Sequence, residues 1–453
     1  MAGAVSGTAQ ASGKHLHLPR LRTAIPPGWI WHRLDALCSG IFDCPHSTPV
    51  LTSSGPYLAR SQDIRSGIFR RDGVARVSEA TYRERVARAE PRDGDLLFSR
   101  EGTYFGIAAE VPRGVQVCLG QRMVLLRPNP RKAVPRWLRC WLNSPLLSRH
   151  VWGFRDGTVA ERLNLPTIRG LPVLAPSLDE QERIAALLGA LDDKIELNGQ
   201  MNRTLETMAQ ALFRSWFLDF DPVAAKAVGR KPFGMDDDIA ALFPDRFQGS
   251  SVEPTPFGWT AGTIADLARY VNGRNFTQGA TGSGRMVIRI AELNSGPGPS
   301  TAYSDTVAAP EHVAKPGDLL FSWSGSLGVY RWVRDEALIN QHIFKVVCDS
   351  FPQWFVHQHL AEALPFFQGI AADKATTMGH IKREHLLQWD IAIPPGEVLE
   401  VVDQLIGPLY DHVFVNERES LILVALRDTL LPELLSGEIR VRDAEKLVEQ
   451  AGA

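Results

Sequence analysis

The stretch L-D-E-Q-E-R-I-A-A-L-L-G-A-L-D-D-K-I-E-L-N, from Leu178 to Asn198, decides the fold of this chain. Its apolar residues recur after alternating steps of three and four, which is the 3.5-residue period of a coiled-coil seam. The period continues to residue 217, which predicts a helix roughly 57 Å long at about 1.5 Å per residue. The seam residues are Ile184, Leu188, Leu191, Ile195, Asn198, Asn202, Leu205, Ala209, Leu212 and Trp216.

The same seam returns near the C-terminus, with each position 218 residues later. Its residues are Val402, Ile406, Leu409, Val413, Asn416, Ser420, Leu423, Arg427, Leu430 and Leu434. Because asparagine recurs in the seam at Asn198 and Asn416, we expect the two helices to pair with each other. A polar residue in a seam fixes the register of the helices at some cost in stability.

The segments before the two helices also repeat. R-D-G-D-L-L-F-S-R-E-G at 92–102 returns as K-P-G-D-L-L-F-S-W-S-G at 315–325, and P-P-G-W at 26–29 returns as P-F-G-W at 256–259. Short apolar runs between Gly and Pro predict β-strands, and other segments of each block predict helices. The predicted fold is therefore α+β, a tandem duplication of an α/β block and a long helix. The repeat is too long for a solenoid.

Composition narrows the class of protein. With 453 residues, two or more domains are expected. A hydrophobic content of 44% and a charged content of 22% are typical of a soluble globular protein. No apolar run predicts a transmembrane helix, and the Ala/Gly/Ser-rich residues 1–23 are interpreted as a disordered leader. Five scattered cysteines without a C-x-x-C pair favour a reduced, cytoplasmic protein without structural zinc.

Signatures of catalysis are missing from the sequence. The glycine-rich G-A-T-G-S-G at 279–284 lacks the Lys-Ser/Thr of a P-loop, and no dinucleotide fingerprint or amino-methyltransferase Asn/Asp-Pro-Pro-Tyr element occurs. We therefore expect a protein without catalytic activity or bound metal. Two alternatives stay open: a methyltransferase or nuclease with unrecognised motifs, and a coiled-coil scaffold that binds protein.

Charge is distributed unevenly between the two blocks. Between residues 122 and 169 ten basic residues face two acidic ones, whereas the corresponding stretch 340–386 is neutral. A basic stretch in a chain of net charge −2 indicates contact with a phosphate backbone, and a solvated arginine face is the alternative. The blocks are thus predicted to share a scaffold but to present different surfaces.

Candidate DNA-contacting residues follow from these repeats, because arginine pairs with guanine and glutamine with adenine in the major groove. Those of the first block are Arg60, Ser61, Gln62, Arg65, Arg100, Arg122 and Arg155. Those of the second block are Arg289, Trp323, Ser324 and Lys382. Arg60 and Asp63 align with Arg289 and Glu292 in the repeat. The alternative for each residue is that it only stabilises the fold by hydrogen bonding.

These motifs together resemble the specificity subunit of type I restriction–modification enzymes, over roughly residues 24 to 440. The resemblance implies two target recognition domains, 24–177 and 254–396, that each read one half of a split sequence in double-stranded DNA. It implies spacer helices at 178–218 and 397–440, packed as an antiparallel coiled coil with pseudo-twofold symmetry through the seam residues above. The linker would be 219–253 and the tail 441–453.

The resemblance also implies partners. Two methyltransferase subunits would dock on the helices, and motor–nuclease subunits would join them. S-adenosylmethionine, Mg²⁺ and ATP would be bound by those partners, and no cofactor by this chain. The second helix begins E-V-L-E-V-V at 397–402 where the first has E-Q-E-R-I, a departure that weakens its equivalence as a docking site.

Overall fold

A computed structural model describes residues 18–64, 67–102, 104–151, 163–249, 254–373 and 379–451. The chain divides into two compact units. Unit 1 comprises residues 1–195 and 422–453, and unit 2 comprises residues 196–421.

Short strands and helices precede the first long helix. They are β1 (Ile30–Arg33), α1 (Leu34–Leu37), β2 (Cys38–Asp43), β3 (Leu51–Ala59), β4 (Arg76–Val77), α2 (Glu79–Val86), β5 (Leu96–Ser99), β6 (Ala108–Glu110), β7 (Val117–Leu119), β8 (Met123–Pro128), α3 (Pro135–Asn143), α4 (Pro145–Val151), α5 (Leu165–Arg169) and β9 (Pro172–Ala175). The first long helix is α6 (Leu178–Phe213), which a π-helical turn, Arg214–Leu218, extends.

The remaining elements are α7 (Asp221–Ala227), α8 (Asp237–Leu242), β10 (Phe247–Gln248), β11 (Thr255–Pro256), β12 (Thr260–Thr263), β13 (Arg269–Asn272), β14 (Arg285–Ile288), α9 (Ile290–Ser295), β15 (Tyr303–Ser304), β16 (Val313–Ala314), β17 (Leu319–Ser322), β18 (Gly328–Arg331), β19 (Ala337–Ile339), β20 (Ile343–Val347), α10 (Gln353–Asp373), β21 (Asp390–Ile393), α11 (Gly396–Ser436) and α12 (Val441–Gln450). Short 3₁₀ helices lie at Ser61–Ile64, Ile264–Asp266, Pro310–His312 and Arg383–Gln388.

Each unit contains a four-stranded antiparallel sheet with the same topology. The strand order is β2-β8-β5-β6 in unit 1 and β13-β20-β17-β18 in unit 2. A second sheet contains a parallel pair in both units, β3 with β7 and β14 with β19. A two-stranded pair precedes each long helix, β1-β9 and β12-β21. Helices and sheets are mixed within each unit, which confirms the predicted α+β class.

The repeated L-L-F-S segments form a central strand of each four-stranded sheet. All four residues of β5 are buried, as are all four of β17. In β5, Leu96 and Phe98 pack in the main core of unit 1, whereas Leu97 packs in a smaller core on the opposite face. A strand covered on both faces needs an unbroken apolar run instead of alternation. Each such side chain contributes roughly 1.5–3 kcal/mol by leaving water.

The long helices contact each other within each unit and run in opposite directions. In unit 2, Asn198 of α6 contacts Asn416 and Glu419 of α11, and Asn202 contacts Val413. In unit 1, Asp192 pairs with Arg427. The main core of unit 1 includes Ile184, Leu188, Leu191, Leu423, Leu430 and Leu434. The main core of unit 2 includes Ala209, Val402 and Ile406. No helix in the described ranges is long and apolar enough to cross a membrane.

Candidate nucleic-acid interface

One corner of the four-stranded sheet in unit 1 contains two charged side chains. Asp43 ends β2 and Arg100 follows β5, and the register places both strands beside Val124 of β8. Arg100 donates from a guanidinium nitrogen to Asp43 at 3.1 Å, and its backbone N–H donates to the carbonyl of Arg122. The side chain of Arg100 is only 8% exposed, so its guanidinium supports the corner from inside.

The same corner of unit 2 has different chemistry on the same backbone. Asn272 ends β13 and Trp323 follows β17, and both strands flank Phe344 of β20. Trp323 Nε1 donates to Asn272 Oδ1 at 3.0 Å, and the Trp323 backbone N–H donates to the carbonyl of His342. The Trp323 ring lies 5.4 Å from the His342 ring and 5.9 Å from the Phe344 ring. An ion pair in unit 1 is thus replaced by an indole, an amide and an imidazole.

Asp43, Asn272 and His342 were not among the predicted site residues. A usable signal was present, since Asp43 and Asn272 are the last residues of strands and His342 directly precedes one. The sequence showed the end of the L-L-F-S strand but not which strand end would meet it.

Three predicted residues lie beside these corners. The side chain of Arg122 is 59% exposed, with Nε 3.4 Å from Glu101, and Arg122 has a positive φ of 71°. Lys382 is also exposed and lies 3.5 Å from Glu384. Ser324 is buried and forms an isolated β-bridge with His380. Arg122 and Lys382 are therefore the predicted residues whose charged groups face solvent next to the corners.

Arg60 and Arg289 occupy the same position at the start of a helical turn in their units. Asp63 accepts hydrogen bonds from the backbone and guanidinium of Arg60, and Glu292 accepts the same two from Arg289. The carboxylate thus satisfies the free N–H group at the start of the turn. Arg-x-x-Asp/Glu spacing in the sequence is the signal for this structural role.

The other predicted residues of this segment lie beside that turn. Ser61 and Gln62 lie on the 3₁₀ helix that Arg60 precedes, and Gln62 is exposed. Arg65, Arg155 and residues 1–17 of the predicted leader lie outside the described residues.

The basic stretch from 122 to 169 is partly neutralised by acidic residues from elsewhere in unit 1. Arg127 pairs with Asp95 at 2.7 Å, Arg136 with Asp193 at 2.8 Å, and Arg139 with Asp192 at 2.7 Å. Counting charge along the chain overlooked these partners because they are 32 to 57 positions away. These three arginines contribute to packing rather than to a free basic face.

Burial suppresses the reactivity of the buried thiols and imidazoles. It raises the pKa of Cys38 to about 12 and that of Cys140 to about 11. It lowers the pKa of His357 to about 4 and that of His359 to about 3. At pH 7 these thiols are protonated and these imidazoles are neutral, so neither is activated for nucleophilic or acid–base chemistry. Within the described ranges, no three His, Cys, Asp or Glu side chains converge as a metal site requires.

The chain is similar in sequence to known specificity proteins. A family model described as "Type I restriction modification DNA specificity domain" matches residues 82–207. The MjaIX specificity subunit of a type I restriction enzyme from Methanocaldococcus jannaschii is 24% identical over 417 residues, covering 88% of each chain. The HindI specificity subunit from Haemophilus influenzae is 24% identical over 408 residues, covering 77% of this chain and 87% of that one.

A solved structure has the same fold. It is the crystal structure of a type I restriction–modification S subunit from M. genitalium, with a TM-score of 0.55 at 13% sequence identity. The similarity covers 92% of this chain and 99% of that one.

Proposed function

We infer that this chain is a specificity subunit of a type I restriction–modification enzyme, the non-catalytic subunit that recognises a DNA sequence. The observation that carries the inference is the extent of the similarity, which covers 88% of this chain instead of one domain. The matched family domain includes β5, Arg100 and most of α6.

Each unit reads one half of a bipartite target in this proposal. The two corners support it, because one backbone arrangement presents Asp43, Arg100 and Arg122 in unit 1 but Asn272, Trp323 and His342 in unit 2. Two units with the same backbone and different side chains can recognise two different base sequences, since side-chain donors and acceptors distinguish the bases. The target need not be palindromic.

The two long helices act as the spacer, forming an antiparallel coiled coil with pseudo-twofold symmetry. The hydrogen bonds of Asn198 and Asn416 support a fixed register, because apolar seams alone permit heptad slips. One heptad of slip would move a half-site by about 10 Å. The length of the helices would therefore set the gap between the half-sites.

Exposed apolar side chains on these helices mark the docking surface for methyltransferase subunits. Leu197, Met201 and Met208 lie on one face of α6, and Leu405 and Val415 are exposed on α11. Motor–nuclease subunits would complete the assembly. The partners would bind S-adenosylmethionine, Mg²⁺ and ATP, and the complex would act on DNA in the cytoplasm.

A methylome of cells that express the chain with its methyltransferase tests the function. The expected result is two short motifs separated by a fixed gap of unspecified bases. Inserting one heptad within residues 196–210 of α6, together with its partner heptad in α11, should change the gap and leave both motifs intact. One continuous motif would contradict the proposal that each unit recognises its own half-site.

The enzyme alternative has its own test. The purified chain alone is incubated with DNA, S-adenosylmethionine, Mg²⁺ and ATP, and methylation and cleavage are measured. We expect neither product, and turnover by the chain alone would contradict a non-catalytic role.

A further inference from the structure

A groove of about 640 Å³ on unit 2 contains three arginines. It lies along β13 and the residues that flank this strand, and it is lined by Arg269, Arg274 and Arg383 together with His312 and Asn272. The three guanidinium groups come from two segments that are more than 100 positions apart. Folding therefore creates a concentration of positive charge that the sequence does not display.

The three arginines differ in how strongly they are engaged. Arg269 pairs with Asp349 at 2.6 Å, and both side chains are exposed. Arg383 donates to the backbone carbonyl of Tyr270. Arg274 is exposed, and its guanidinium has no carboxylate or hydrogen-bond partner among the residues that the structure describes. This guanidinium is thus available to an anion in the groove.

His312 supplies an independent observation that points to a ligand. Its side chain is 6% exposed, and neither ring nitrogen has a hydrogen-bond partner within the described part of the chain. The nearest carboxylate oxygen, from Glu311, is 3.5 Å from Nε2. A buried polar group without a partner costs free energy, and a ligand oxygen in the groove would accept from a ring N–H.

The groove is a property of unit 2 and not of the shared scaffold. Strand register aligns Arg269 with Gly40, because their partners Val347 and Arg127 occupy the same place on β20 and β8. Arg274 and Pro45 each lie two residues after the strand end.

A backbone hydrogen bond that both units share identifies the residue of unit 1 that corresponds to Arg383. Ile381 donates to the carbonyl of Trp323 as Leu163 donates to that of Arg100, which aligns Arg383 with Leu165. Unit 1 thus has glycine, proline and leucine where unit 2 has three arginines. The fold does not require basic residues at these places.

We propose that the groove binds a backbone phosphate of DNA beside the half-site that unit 2 reads. This proposal rests on the proposed DNA-recognition function. Guanidinium groups match phosphate geometry and are the preferred partners of a desolvated phosphate. The groove adjoins the corner, because Asn272 both lines the groove and accepts from Trp323. A phosphate bound here fixes the position of the duplex while the corner reads the bases.

The test compares Arg274→Gln with Arg246→Gln in the full chain. Arg246 is a matched control, since it is an exposed arginine of unit 2 that stacks on Phe257 at 3.8 Å and does not line the groove. Binding to a duplex that carries both half-sites is measured by fluorescence anisotropy over a range of salt concentrations. Arg274→Gln should weaken binding roughly five- to tenfold and reduce the salt slope by about one, with Arg246→Gln unchanged.

A second measurement locates the phosphate. Duplexes with a neutral methylphosphonate at one backbone position at a time are bound by the wild type and by Arg274→Gln. The wild type should lose affinity at a position next to one half-site, where the variant loses nothing further. If the wild type binds its target but Arg274→Gln behaves like Arg246→Gln, the groove proposal is wrong and the function stands. If the wild type has no sequence preference, the proposed function itself is wrong.

Discussion

The two units differ in how the sheet layer is attached to the long helices. In unit 1 the attachment is Arg139 of α3, which donates to Glu110 at the end of β6 at 2.9 Å and to Asp192 of α6 at 2.7 Å. In unit 2, Arg331 at the end of β18 donates to Asp411 of α11 at 2.8 Å and to the carbonyl of Tyr410 at 2.9 Å.

The strand residues of the two attachments occupy corresponding positions. Glu110 opposes Leu96 in its sheet as Arg331 opposes Leu319, so the strand residue has changed sign between the units. Tyr410 occupies the repeat position of Asp192, and its ring lies 5.4 Å from that of His357 in α10. The difference teaches that the repeat preserved an attraction between strand, short helix and long helix, while the charge moved from one element to another.

Solvent exposure separates the two attachments further. The side chains of Arg139 and Asp192 are 9% and 12% exposed, whereas Asp411 is 70% exposed. A buried ion pair that loses one member leaves an uncompensated charge, but an exposed pair does not. The cost of removing each arginine therefore tests the difference between the units.

Arg139→Met should have the largest effect on stability. It removes the cation that Asp192 and Glu110 share and leaves each carboxylate with one arginine, Arg427 for Asp192 and Arg136 for Glu110. We therefore expect a loss of about 2 kcal/mol in the free energy of unfolding of unit 1. Arg331→Met should cost about 1 kcal/mol, because water can solvate Asp411. Urea unfolding followed by circular dichroism measures both losses.

The control for these variants is Arg83→Met. Arg83 pairs with Glu79 on the surface, with the arginine side chain 78% exposed, so its loss should be within about 0.5 kcal/mol of zero. Equal losses for Arg139→Met and Arg331→Met would show that burial does not distinguish the two attachments.

Substitutions at the two sheet corners should have the next largest effect, in this case on DNA recognition. Trp323→Ala removes the ring that contacts His342 and Phe344, and Arg100→Met removes the partner of Asp43. Each variant should weaken discrimination by roughly 1–3 kcal/mol in one half-motif only. A methylome measures both half-motifs at once. If either variant degrades both half-motifs equally, the two corners do not belong to separate readers.

Local patterns in the sequence predicted much of the fold. The 3.5-residue period located α6 and α11, and the repeated L-L-F-S located β5 and β17, because burial enforces these patterns within a single element. Contacts between residues that are distant in sequence could not be predicted, because they depend on the tertiary structure. Arg127 meets Asp95, and the groove arginines gather around His312, only after folding. A charge count along the chain therefore could not show that Arg127, Arg136 and Arg139 form ion pairs within unit 1.

The site was predicted less well than the fold for the same physical reason. The strand end at Arg100 and Trp323 follows from the sequence, but the opposing residues Asp43 and Asn272 depend on strand register. Arg60 and Arg289 show the reverse case. They were predicted to contact DNA, although the acidic residues that accept their hydrogen bonds lie only three positions later in the sequence.

Asn198→Leu should have a smaller effect, and one that distinguishes the seams of the two units. The seam in unit 1 consists of apolar residues and Arg427, which pairs with Asp192. In unit 2 the fully buried Asn198 donates to Glu419 at 2.7 Å, while its Oδ1 lacks a partner among the described residues. Because a buried acceptor without a partner is costly, leucine should raise the stability of unit 2 by about 1 kcal/mol and loosen the register.

The measurements for this variant are thermal unfolding and the spread of gap lengths in the methylome. The matched change at an apolar seam position of unit 1, Leu188→Asn, should destabilise that unit. A rise in stability with a single unchanged gap would show that Asn198 does not set the register.

Glu417 should give unit 2 a small dependence of stability on pH. Burial first, and then the neighbouring charge of Glu206, raise the pKa of Glu417 to about 7, against the opposing effect of Arg331. A carboxyl group with a raised pKa binds its proton more tightly in the folded state, so its contribution to stability is lost as pH rises from about 4.5 through 7. Glu417→Gln should therefore stabilise unit 2 by about 1 kcal/mol at pH 8, after allowance for solvent screening, and have little effect at pH 5.

Thermal unfolding at both pH values, with the exposed Glu400→Gln of the same helix as the control, measures the difference. If Glu417→Gln shifts unfolding equally at both pH values, the carboxyl group does not titrate between them, and the variant acts through packing alone.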